Sequence, residues 1–305
     1  MTTSHVNVVN VILMLLSLAL AYILPFHVFV LSYAILGPLH YLTQIPWMHK
    51  RQYFIQNEKL WRWIAGFMVL STILLMFSFG YIHIAIPFCV AIGAVLSQGF
   101  KSFVFWIVAS LFILMCMLSL NVQIAAWIGL FLPTLIHVSL FTLLFILFGS
   151  LKSNDTWGYI SCIVYVICVS LCFMLEPEYS AQVPDYVTVG QENFSKIIRE
   201  IQNILGWSQS SLSKVMFLLS FTYTYHYLNW FSKVNILKWN EVSNKTWVFI
   251  ISIYIIALSV YFYDFYLGLK FMLFLSILHV LLEFPLNVFV IKSLVKHPWF
   301  RKSVS

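Results

Sequence analysis

The chain predicts an all-α fold, a polytopic transmembrane helical bundle of about ten spans, and three observations predict it. Its 305 residues are 62% hydrophobic and only 9% charged, whereas a soluble domain carries about a quarter charged residues. Apolar runs of membrane-spanning length recur along the whole sequence. Aromatic residues are abundant, with 28 Phe, 16 Tyr and 11 Trp, and many flank the runs as interfacial belts.

Taken in order, the spans fall at roughly 8–24, 26–45, 61–79, 81–99, 102–120, 124–149, 157–175, 213–232, 246–264 and 266–290. The first has no Lys or Arg before it, so despite Ala19-Leu20-Ala21 it reads as a retained helix rather than a signal peptide. Pro25 and Gly80 punctuate the first two tight joints. The least marked boundary lies between Asp264 and Leu267. One long connection, about 176–212, contains Phe194, Ile197, Ile198, Ile201, Ile204 and Leu205 at helical spacing. It predicts an amphipathic helix near 191–206 lying on the outer interface. Residues 1–305 read as a single integral membrane domain with no soluble appendage.

Charge orients the spans. Lys50, Arg51, Lys59, Arg62, Lys101, Lys152, Lys233, Lys238, Lys245, Lys292, Lys296, Arg301 and Lys302 all fall on one side, and only Lys196, Arg199, Lys214 and Lys270 on the other. The positive-inside rule then places both termini in the cytoplasm, and a bacterial inner membrane suits the pattern. The net charge of +7 is spread between spans, so no nucleic-acid partner is implied; membrane lipids are. Cys89, Cys116, Cys162, Cys168 and Cys172 lie inside apolar runs without CxxC spacing, which leaves them as small buried hydrophobes.

Four histidines, His40, His137, His226 and His279, sit within spans 2, 6, 8 and 10, which all run from outside to inside. An ionisable residue inside a span marks a functional site, and neutral imidazole suits iron, zinc or copper. The four therefore predict a metal site in the cytoplasmic half. Gln44 and Glu283 each follow a histidine by four residues and share its helical face. Asn229 follows His226 by three, and Thr142 follows His137 by the less suitable five. Gln44 and Asn229 are expected to orient the imidazoles. Glu283, the one carboxylate deep in a span, is the expected catalytic group, as ligand or proton carrier. Arg51 and Lys233, where spans 2 and 8 leave the membrane, are the expected contacts for an anionic headgroup or cosubstrate.

Several chemistries find no motif here. HxxxH and HxxHH clusters, HExxH, GxSxG, a Walker loop and DDxxD are all absent. The segments Pro38-Leu39-His40 with Gln44, Leu135-Ile136-His137, Tyr225-His226-Tyr227 and Ile277-Leu278-His279 with Glu283 resemble the Brp/Blh family of bacterial membrane carotene dioxygenases. Against that family's pattern, no Asp follows His40 or His137, and a His-Phe-Gly motif is missing. The resemblance implies non-haem iron and oxidation of a lipophilic polyene. The expectation is thus a membrane enzyme that uses iron and dioxygen on a lipophilic small molecule, with a redox partner in reserve. Haem or another transition metal is the alternative cofactor, in an electron-transfer protein. A proton-coupled transporter or lipid-binding protein using the same His/Glu cluster is the third reading.

Overall fold

A computed structural model describes residues 2–51, 99–120, 132–177 and 209–297, with isolated positions between 66 and 96. Apart from those positions, the expected spans at 61–79 and 81–99 and the interfacial helix near 191–206 lie outside the described residues. Every described element is helical, with no strand. In chain order they are α1 (Thr3–Ile23), α2 (Pro25–Leu31), a π-helical turn (Ser32–Leu36), α3 (Gly37–Arg51), α4 (Phe100–Leu120), a π-helical segment (Leu132–Phe141), α5 (Thr142–Ser153), α6 (Thr156–Met174), α7 (Gln209–Ser232), α8 (Val234–Leu237), α9 (Asn244–Tyr263) and α10 (Phe265–Lys296). Among the described residues, six stretches are long and apolar enough to cross a membrane: Thr3–Ile23, Pro25–Arg51, Leu135–Ser153, Thr156–Met174, Asn244–Tyr263 and Leu267–Lys296.

The chain divides into two compact units, Met1–His40 with Gly149–Met272, and Tyr41–Phe148 with Leu273–Ser305. The first is built around α7, on which α1, α2 and α6 pack. Nearly every side chain from Met216 to Tyr227 is buried, with little regard to helical face, as a helix enclosed by others should be. α1 turns Val6, Asn10, Met14, Ser17 and Ala21 inward, and α6 turns Gly158, Ser161, Tyr165, Cys168 and Cys172. Both sets recur every three or four residues and are rich in small side chains, which lets backbones approach where lipid offers no hydrophobic drive. The opposite faces, with Ile12 and Leu16 on α1 and Ile163 and Phe173 on α6, are apolar and exposed, as lipid contact requires.

Polar links reinforce this unit. Asn7 Nδ2 donates to Asp155 Oδ2 at 2.7 Å, Ser232 Oγ to Asn10 Oδ1 at 3.0 Å, and the Ser32 and Thr224 hydroxyls meet at 2.7 Å. Helix ends are set by side chains: Asp155 accepts from the Gly158 amide at 3.0 Å to start α6. Asp264 alone separates α9 from α10, accepting from the Leu267 amide at 2.9 Å. The least marked boundary of the sequence is therefore a one-residue break. It is tight because Gly268 lies against the Tyr261 backbone, where a Cβ would not fit.

In the second unit, two helices carry internal prolines, Pro46 in α3 and Pro285 in α10. Each withholds an N–H from the carbonyl four residues back, at Leu42 and Leu281, and membrane helices tolerate this when enclosed by protein. The π-helical segment Leu132–Phe141 contains Pro133 and His137. The turn Ser32–Leu36 of the first unit ends two residues before Pro38, and there the Gly37 amide reaches back to the Ser32 carbonyl. Wide turns of this kind are rare and gather at functional sites.

Candidate metal centre

The second unit's site is built on one face of α10. His279, Glu283 and Asn287 follow at four-residue steps, so they stack on a single stripe, and all three are buried to 2% exposure or less. His137 arrives from the π-helical segment and Gln44 from α3. The carboxylate of Glu283 is the meeting point. Its Oε2 lies 3.4 Å from His137 Nε2 and 3.8 Å from His279 Nε2, and it accepts a hydrogen bond from Gln44 Nε2 at 2.7 Å. The two imidazole rings are 5.2 Å apart, edge to face. Tyr41 stacks on His279 at 4.2 Å and 21°, which fixes the plane of that ring.

One hydrogen bond decides the chemistry of His279. Its Nδ1 is 2.7 Å from the Ser276 carbonyl oxygen, which only accepts, so Nδ1 carries the proton. In the neutral ring, Nε2 is then a bare lone pair, and it faces the carboxylate. Two acceptors facing each other call for a proton or a cation between them. Glu283 Oε1, Gln44 Oε1 and Asn287 Oδ1 are also buried and accept no hydrogen bond from any described residue. Burying acceptors without donors is costly.

The donor set fits a transition metal. One ligand atom each from His137, His279 and Glu283 lies within 4.8 Å of the other two. Neighbouring ligands on an ion with bonds of about 2.1 Å lie about 3–3.4 Å apart, so an ion would draw the three groups together. Two histidines and one carboxylate form the set that holds non-haem Fe(II) with positions left open. The carbonyl lock on His279 Nδ1 is the outer partner that ligating histidines ordinarily have.

The other two expected ligands are paired in the first unit. His226 Nε2 is 3.1 Å from His40 Nε2, and their rings meet edge to face at 4.8 Å. Tyr227 and Trp230 close around His40 at 5.3 and 5.4 Å. A nitrogen pair at this distance holds one proton between its members, with one ring donating to the other.

The remaining expectations divide. Gln44, expected to orient an imidazole, donates instead to the Glu283 carboxylate. Asn229 is a correction: its Oδ1 accepts from the Tyr225 hydroxyl at 3.5 Å and makes no hydrogen bond to His226. A three-residue offset allowed the contact, but the ring of His226 turns to His40 instead. Thr142 donates to its own helix at the Val138 carbonyl, 2.7 Å away, as hydroxyls in apolar helices commonly do. Arg51 is exposed at the end of α3, and Lys233 is half-buried between α7 and α8. Sequence reasoning missed Tyr41, Ser276 and Asn287. Of these Asn287 left a signal, one further four-residue step beyond Glu283.

No family model matches the chain, and neither a curated protein nor a solved structure matches it.

Proposed function

We propose that this protein is a membrane-embedded metal enzyme, with non-haem iron held by His137, His279 and Glu283, that oxidises a lipophilic substrate with dioxygen. The observation that carries the reading is the lone pair of His279 Nε2, fixed by the Ser276 carbonyl and aimed at a buried carboxylate that also faces His137. Iron in a two-histidine, one-carboxylate set supplies redox chemistry with dioxygen. The chain's own residues supply the rest. Gln44 holds one oxygen of Glu283 in place, Tyr41 holds the His279 plane, and the apolar helices receive an oil-soluble substrate and exclude water. The ten-span topology with cytoplasmic termini in a bacterial inner membrane belongs to the same proposal, supported by the lysine and arginine asymmetry.

The test is metal analysis with optical and EPR spectra on full-length protein purified anaerobically without chelator. About one iron per chain, lost in His279→Ala and Glu283→Gln, supports the reading. Protein free of transition metal overturns it. A Soret band would assign haem instead, and stoichiometric zinc would keep the site while removing dioxygen chemistry.

A further inference from the structure

The connection between α7 and α9 carries a set of groups that the metal centre does not use. Trp239 stacks on Trp230 at 6.2 Å and 21°. It meets the edge of Phe231 at 5.9 Å and lies 6.4 Å from Trp247, so the rings form a continuous aromatic wall. The indole N–H of Trp247 donates to the Asn240 carbonyl at 3.2 Å. That of Trp239 is buried and finds no acceptor among the described residues. An indole N–H only donates, so this wall presents a donor awaiting an acceptor.

The charges around it have the same bias. Lys238 is paired with Glu241 at 3.3 Å, which uses the connection's one carboxylate. Lys233 opens the connection, half-buried, and has no carboxylate partner among the described residues. Burial lowers its pKa to about 8, against a smaller upward pull from the Cys162 thiol, a sign of a cation partly withdrawn from water. Lys245, exposed near the start of α9, likewise has no such partner. The segment sits where α9, an apolar helix long enough to span the membrane, begins, so it lies at the membrane surface. There lysines next to an aromatic belt meet lipid phosphates.

We infer that the connection Lys233–Lys245 binds the phosphodiester headgroup of an anionic phospholipid, with the Trp239 indole N–H and the Lys233 and Lys245 ammonium groups as donors and the tryptophan wall against the glycerol and upper acyl chain. This site is independent of any metal. Native mass spectrometry of the detergent-purified full-length protein tests it, by titration with phosphatidylglycerol, phosphatidylcholine and inorganic phosphate. Phosphatidylglycerol is expected to bind at least about fivefold more tightly than phosphatidylcholine, and inorganic phosphate to leave that difference unchanged. Trp239→Phe keeps the stacked ring and removes only the N–H, and it should narrow the preference severalfold. Lys233→Gln with Lys245→Gln should lower phosphatidylglycerol affinity about 25-fold, at roughly fivefold per lysine near a membrane surface. Lys101→Gln, on α4, should leave it unchanged. Equal retention of the two lipids by the wild-type protein, which needs no variant to fold, would overturn the inference. So would a preference that survives both the tryptophan and the lysine changes, or one abolished by inorganic phosphate.

Discussion

The two histidine pairs are buried to a similar depth, yet their polar atoms are satisfied in different ways. His40 and His226 turn their Nε2 atoms on each other at 3.1 Å, and one proton closes that contact. His137 and His279 both turn theirs toward the Glu283 carboxylate, and His279 cannot supply the proton because its own is committed to Ser276. The first pair thus closes on itself through one proton, whereas in the second a carboxylate and an unprotonated imidazole nitrogen face each other, an arrangement that a shared proton or a metal ion would satisfy. The tautomer that the Ser276 carbonyl fixes on His279, not burial, is the difference between the two pairs.

The largest expected effect tests this division directly. Changing His279→Ala or Glu283→Gln should lower bound metal from about one per chain to background, read by elemental analysis. His226→Ala should retain it. Equal loss from His226→Ala would break the division and restore the single four-histidine centre that the sequence suggests. Next in size, Gln44→Leu removes the donor that orients Glu283. Metal affinity should fall about 10–100-fold, as for other outer partners of metal ligands, measured by competition with a chromophoric chelator. His40→Ala leaves a buried imidazole without its partner. It should destabilise the first unit by about 1–3 kcal/mol in a reversible denaturation titration, with metal content unchanged. The smallest effect belongs to Ser32→Ala. Hydrogen bonds between membrane helices average about 0.6 kcal/mol, so a loss above about 2 kcal/mol would mean that the Ser32–Thr224 contact does more than join two helices.

Much of the site was legible where it depends on one helix. The four-residue step from His279 to Glu283 is local periodicity, and the structure keeps both on one stripe of α10. Gln44 was legible as an inward-facing polar group, but its partner Glu283 was not, because a helical wheel gives a face and not the neighbour across from it. The same gap explains Asn229, correctly turned inward yet bonded to Tyr225. Of the fold, the helical class and the membrane-length apolar runs were plain from composition. The one-residue break at Asp264 was not, since it rests on the close approach of Gly268 to Tyr261, a contact with no counterpart in hydropathy. The π-helical segments were also invisible, although Pro38 and Pro133 mark their positions. A missing N–H permits a wide turn without requiring one.

The wide turn around His137 has a consequence for how the chain tolerates length changes. An i→i+5 step inserts one residue per turn relative to an α-helix, and each residue of an α-helix advances about 100° around the axis. The segment Leu132–Phe141 therefore acts as a phase adjuster between His137 and the α5 residues after it. Deleting Ser139 would favour ordinary α-helix here and leave either His137 or α5 rotated out of phase. Most loops absorb a lost residue, but here the spare residue sets the direction of the His137 imidazole.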